Sequence, residues 1–116
     1  MIIRTIAFAA SITALHTATA AQDLGGLYRV ECTRPTGESC SSTVEIEMTS
    51  EDTCRIKWPN GSRGICRLEG STFFYAGLGG QKLELGIYEV AADGTLEGKF
   101  IDDEGVGGKE KMIPVR

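Results

Sequence analysis

Four cysteines, Cys32, Cys40, Cys54 and Cys66, are the side chains of this 116-residue sequence best equipped for covalent chemistry. Their spacing decides which chemistry. Seven, thirteen and eleven residues lie between them, so no C-x-x-C pair exists to poise a redox dithiol or seed a zinc site. Oxidised pairs are the alternative, and they suit a small exported chain with a thin core. Other routes to catalysis lack their usual reagents. The single histidine, His16, falls in the first 20 residues, which read as a removable leader. Without it no Ser-His-Asp triad, Cys-His dyad or histidine-ligated metal can be assembled. Carboxylates remain. Glu45 and Glu47 share a strand face and could pair as acids, but Arg55 and Lys57 stand where a cross-strand ion-pair ladder would answer them. Asp102-Asp103-Glu104-Gly105 lacks the D-x-D-x-D-G…E spacing that wraps calcium and reads as an acidic turn. These patterns predict no catalytic residue, no metal ligand and no cofactor.

Three further patterns carry less. Gly77-x-Gly79-Gly80 follows a strand, but no helix comes after it to present an N-terminus to phosphate, so it reads as a turn. Trp58, Phe73, Tyr75 and Phe100 could line a cavity, although strands this short favour a filled core. Asn60-Gly61-Ser62 is a glycosylation sequon, relevant only where secreted proteins are glycosylated. The balance of 12 Lys+Arg against 16 Asp+Glu contains no basic run, which argues against nucleic acid as a partner.

The elements that must position these residues are short strands separated by turns, with no sustained helical period. Leu27–Cys32 is the first, closed by Pro35-Thr36-Gly37. Thr43–Met48 alternates, with Val44, Ile46 and Met48 on one face and Glu45 and Glu47 on the other. Thr53–Trp58 places Cys54, Ile56 and Trp58 inward. Pro59-Asn60-Gly61-Ser62 turns into 63–68, and Glu69-Gly70 into 72–76. Gly77–Gly80 then turns into 82–91, Asp93-Gly94 opens Thr95–Ile101, and a loop over 102–108 precedes 109–115. Leu83 and Leu85 are out of phase with Tyr88 and Val90, which predicts a bulge at Gly86. Glu97 and Glu110 read as outward. About eight strands with no crossover helix make an antiparallel meander. Curling it into a small barrel, lipocalin- or avidin-like in outline, removes the edges; a flattened sandwich is the alternative. Hairpin register then pairs the cysteines. Cys54 and Cys66 are symmetric about Asn60, and Cys32 and Cys40 about Thr36, so each pair spans its own turn as a disulfide.

Residues 1–20 read as a cleaved signal peptide. Arg4 ends a short charged region, Ile6–Leu15 is apolar, and Ala18-Thr19-Ala20 is a small-x-small cleavage site. The apolar stretch is about half of the ~20 residues that a membrane span requires. Residues 21–116 are then a single β-barrel domain, periplasmic or secreted after cleavage near Ala20. Its net charge moves from −4 to −5, because Arg4 departs and no acid does.

One set of motifs resembles a known group. Gly26-x-Tyr28-x-Val30 opens it, an alternating strand pair ends in Trp58, and Gly64 sits in the next hairpin. Tyr88-x-Val90 is followed by Asp93-Gly94-x-Leu96-x-Gly98, and Gly108-x-Glu110-x-x-x-Pro114 closes the pattern. This is similar to small exported alphaproteobacterial proteins, some of which carry the label fibronectin-binding protein. The four cysteines depart from that group, whose members usually have glycine or aromatic residues at those positions. The resemblance implies export and a β fold and brings no catalytic residues. The combined expectation is a non-enzymatic exported barrel that binds a protein or other extracellular macromolecule. Its interaction loop would be Arg34, Pro35, Thr36 and Gly37, beside a disulfide. Two alternatives stand: an inhibitor of a secreted protease or lysozyme acting through the rigid 33–39 loop, and a carrier of a small apolar ligand.

Overall fold

Alternating apolar and polar side chains, broken by glycine and Asx turns, produce eight strands in chain order. The computed structural model describes residues 23–116. Its strands are β1 (Gly26–Thr33), β2 (Ser39–Met48), β3 (Thr53–Lys57), β4 (Arg63–Glu69), β5 (Thr72–Gly79), β6 (Lys82–Val90), β7 (Leu96–Asp102) and β8 (Gly107–Pro114). Each pairs antiparallel with its sequence neighbour, and β8 returns to pair with β1, from Tyr28 opposite Pro114 to Thr33 opposite Lys109. The meander is therefore a closed barrel rather than a sandwich. The signal-peptide segment lies outside the described residues.

Connections sort to two ends. The β1–β2, β3–β4, β5–β6 and β7–β8 turns form one end, called the mouth here; the other three connections and both ends of the described chain form the opposite one. The opposite end is closed. Leu24 is buried there, and its carbonyl accepts a 2.6 Å hydrogen bond from the Tyr28 hydroxyl. Burial, with the Asp23 charge adding to it, pushes the Tyr28 phenol up to about 12. Val30, Val44, Ile46, Ile56, Phe73, Leu96 and Met112 fill the interior behind it, each contributing roughly 1.5–3 kcal/mol by leaving water. Gly64 and Gly77 face each other across β4 and β5. A Cβ on Gly64 would stand 2.5 Å from the Ala76 carbonyl oxygen and 2.9 Å from the Gly77 Cα. The two backbones approach too closely for any side chain, and that is how a small barrel makes its corner.

Both disulfides form across their own hairpins. Cys32 pairs with Cys40 and Cys54 with Cys66, at Cα separations of 5.0 and 4.9 Å, and each pair is also a register pair. Cys54–Cys66 lies in the core, whereas Cys32–Cys40 is half-buried at the mouth.

Four local expectations are corrected. No bulge occurs at Gly86: β5–β6 pairing runs unbroken from Thr72 opposite Glu89 to Gly79 opposite Lys82, and β6–β7 pairing is equally regular. The phase conflict resolves the other way, with Tyr88 inward and Leu83, Leu85 and Ile87 on the outer surface. The Gly77–Gly80 segment is not a four-residue turn. β5 continues through Gly79, and only Gly80, at φ 67°, and Gln81 turn the chain. β2 starts at Ser39, because the Cys32–Cys40 bridge keeps that hairpin paired up to its turn. Finally, Glu110 points inward, in phase with fully buried Met112.

Candidate binding face and barrel mouth

The outer surface of β4–β7 is apolar where an exposed sheet face is ordinarily polar. Ile65, Ala76, Leu85 and Ile101 are successive cross-strand partners and form one row. Phe74 and Ile87 pair on one side of it, and Leu78 and Leu83 on the other. Leu85 is 56% exposed and Ile65 71%. Beside this band runs a groove of about 870 Å³, floored by Phe74, Leu85, Ile87 and Ile101 and bordered by Lys99, Lys109 and Arg34. Lys99 and Lys109 are directly opposed across β7 and β8. Neither they nor Arg34 forms an ion pair with a described residue, in contrast to Arg55, Arg67 and Lys82. The surface is greasy with a basic border.

Of the predicted interaction loop, Arg34, Pro35 and Gly37 line this groove. The loop is braced from within: the Gly37 amide donates to the Arg34 carbonyl at 2.8 Å and the Arg34 amide to the Glu38 carbonyl at 2.8 Å. Thr36 stands at its exposed tip. The predicted bulge at Gly86 hides the apolar band, because it puts Leu83 and Leu85 on the same face as Tyr88 and Val90. A usable signal was present. Over β5, Phe73, Phe74, Tyr75, Ala76 and Leu78 are apolar in both phases, more than a half-buried strand needs.

The mouth is the second feature. The inward positions near the mouth, Trp58, Glu84, Phe100 and Glu110, are half-buried, and Ser42 is exposed, whereas the middle of the barrel is filled by buried side chains. Tyr75 and Tyr88 form the floor, with ring centroids 6.3 Å apart, and Trp58 leans on Tyr75 at 5.2 Å. The Tyr88 hydroxyl donates to a Glu110 carboxylate oxygen at 2.5 Å. Burial raises the pKa of both Glu84 and Glu110; the charge of Asp102 adds to it at Glu84, and that of Glu84 at Glu110, where the Tyr88 hydrogen bond opposes the rise. Burial also pushes both tyrosines up, with the two glutamates adding to it.

The remaining acidic candidates lie in surface ion pairs and a turn. Glu47 and Arg55 form a 3.0 Å ion pair on the solvated face, and Glu45 is opposite Lys57 without closing one. Asp102, Asp103 and Glu104 bring carboxylate oxygens within 4.8 Å of one another. Asp102 is nevertheless committed to its turn, accepting the amides of Glu104 and Val106 at 2.9 Å each, and these bonds with the Lys82 charge lower its pKa. The Lys82 ammonium pairs with two members of that cluster, 2.5 Å from Glu104 and 3.7 Å from Asp102.

Fold and site together define a small closed eight-stranded antiparallel barrel with two hairpin-spanning disulfides. Among solved structures, the chain is similar to a redesigned β-barrel (TM-score 0.71, 14% identity, covering 84% of this chain and 96% of that one). It is similar also to the redesigned barrel mFAP1 bound to DFHBI (TM-score 0.70, 16% identity, 82% and 98% covered). A de novo designed fluorescence-activating β-barrel matches at TM-score 0.67 with 16% identity, covering 84% and 98%. No protein-family model matches the chain, and no curated protein does.

Proposed function

We propose that this barrel is a non-enzymatic binding module that docks a protein partner on the outer face of β4–β7, in an oxidising compartment outside the cytoplasm. The exposed apolar band carries this reading: a row of aliphatic side chains across four strands costs solubility unless something covers it. The partner's chemistry follows from the border. Arg34, Lys99 and Lys109 want carboxylates, so the partner presents aliphatic or aromatic side chains flanked by Asp or Glu. Two disulfides favour an exported location, and so does the resemblance to exported alphaproteobacterial proteins, which also leaves a matrix protein such as fibronectin within the class of partner. The absence of histidine from residues 23–116 and the oxidation of all four cysteines favour binding over turnover.

The test is retention of envelope or matrix proteins on immobilised oxidised protein, comparing wild type with the Leu85→Ser/Ile87→Ser double variant and with Leu27→Ser, an exposed leucine elsewhere. An acidic partner retained by wild type and by Leu27→Ser, lost from the double variant and weakened by salt, supports the reading. Equal retention by the double variant overturns it, as does sedimentation showing that the face is covered by a second copy of the chain. A second reading, inhibition of a secreted hydrolase, is favoured by the brace on the Arg34–Gly37 turn. Stoichiometric loss of protease or lysozyme activity, relieved by Arg34→Ala, would select it.

A further inference from the structure

The mouth holds a combination that neither the outer face nor the fold requires. The inward positions of the strands carry one basic residue among the described ones, Lys82, and it sits at the rim with its ammonium on Glu104 and Asp102. Glu84 and Glu110, deeper in, have no cationic partner among the described residues, although both are half-buried. Beside them lie Trp58 and Tyr75, 5.2 Å apart, and Tyr88. Tyr75 is only 3% exposed, yet its hydroxyl makes no hydrogen bond to a described residue, while Tyr88 spends its own on Glu110. The Tyr75 phenol lies within reach of the charges of both Glu84 and Glu110, between the rings of Trp58 and Tyr88.

From this geometry we infer that the barrel mouth is a binding site for a compact organic cation of the alkylammonium class, held between the Glu84 and Glu110 carboxylates and the faces of Trp58 and Tyr75. Carboxylates supply charge, aromatic faces supply the quadrupole that favours a weakly hydrated cation, and the Tyr75 hydroxyl offers a hydrogen bond to a polar substituent. A bare metal ion fits less well, since two carboxylates and aromatic walls do not provide the six or more oxygens that a hard cation takes. A neutral apolar ligand would leave two half-buried carboxylates unanswered. A bound cation would also offset what raises the two glutamates: burial at both, with the charge of Asp102 at Glu84 and that of Glu84 at Glu110.

Trp58 is the sole tryptophan, so its fluorescence reports the site directly. The oxidised protein is titrated with choline and with 3,3-dimethyl-1-butanol, its uncharged isostere, at constant ionic strength, and calorimetry repeats both titrations. Saturable binding of choline, about tenfold tighter than the isostere, is expected from the loss of charge and cation–π attraction. Glu84→Gln and Glu110→Gln should each weaken choline by about tenfold, and Leu85→Ser/Ile87→Ser should not alter it, which separates this site from the outer face. Equal affinity for the two probes, or no saturable response to choline by either method, overturns the inference. So does unchanged affinity in a folded Glu110→Gln protein. If a glutamine variant fails to fold, the comparison of the two probes on wild type still decides.

Discussion

Glu110 shows how one side chain reverses its role when its face is reassigned. On an outer strand it would be a solvated charge; inside the mouth it accepts the Tyr88 hydroxyl and shares a half-buried space with Glu84. Burial raises both glutamates above their usual 4.5, so the folded protein takes up protons more readily than the unfolded chain. Their ionised forms cost stability at neutral pH, and that cost fades as pH falls through the raised values towards 4.5. Asp93 and Asp102 run oppositely. Backbone amides hold them below their usual 3.8, and what they contribute is present above 3.8 and lost as pH falls through their depressed values. Calorimetric Tm should therefore rise from pH 7 to about 4.5 and fall below about 3.8. Glu110→Gln, which can still accept the Tyr88 hydrogen bond, should flatten part of the rise and match or exceed wild-type Tm at pH 7. A wild-type Tm that only declines on acidification from pH 7 would contradict this balance.

The hairpin is the unit at which the disulfides act. Cross-links separated by 8 and 12 residues each stabilise by about 2.5–3 kcal/mol in the chain-entropy picture. Their surroundings differ more than their loops. Cys54 and Cys66 are both buried, while Cys32 and Cys40 border the mouth. Mild reductant followed by alkylation should label Cys32 and Cys40 first, leaving Cys54 and Cys66 protected until global unfolding; peptide mapping reads the order. Complete reduction should lower Tm by at least 10 °C, since about 1 kcal/mol moves a domain of this size by about 4–8 °C. Labelling of all four cysteines at one rate would show that the β3–β4 hairpin is not sheltered as described. At the same scale, regular β5–β6 pairing turns three aliphatic residues outward, and a strand-level compromise becomes a surface.

Closure is a property of the whole molecule. The β1–β8 ladder joins residues 28–33 to 109–114, nearly the full length of the barrel sequence. Contacts this distant in sequence bear the largest loop-closure entropy, so folding should take milliseconds to seconds rather than microseconds. Stopped-flow refolding of the oxidised protein, followed by Trp58 fluorescence, checks this. Truncation after Gly105 should abolish cooperative thermal unfolding, because Met112 leaves the core and both β1 and β7 acquire open edges. A truncated chain that still melts in one sharp transition would mean that closure is dispensable.

Strand number, antiparallel order and both disulfide pairings were legible in the sequence, because alternation and turn residues are local signals and hairpin symmetry makes register arithmetic. Residues such as Val44, Ile46, Cys54 and Ile56 were placed correctly for the same reason. The barrel's two surfaces of interest were not legible. Alternation says which residues share a face but not which face points in, and where both faces are apolar, as in β5 and β6, only packing decides. The large rings of Tyr75 and Tyr88 take the interior and pack against Gly86, where an added Cβ would stand 2.6 Å from each, so the smaller Leu83, Leu85 and Ile87 are left outside. The acidic mouth is likewise tertiary. Glu84 and Glu110 stand 26 positions apart, on the strands that flank β7, and both turn into the one interior that closure creates, where burial raises them.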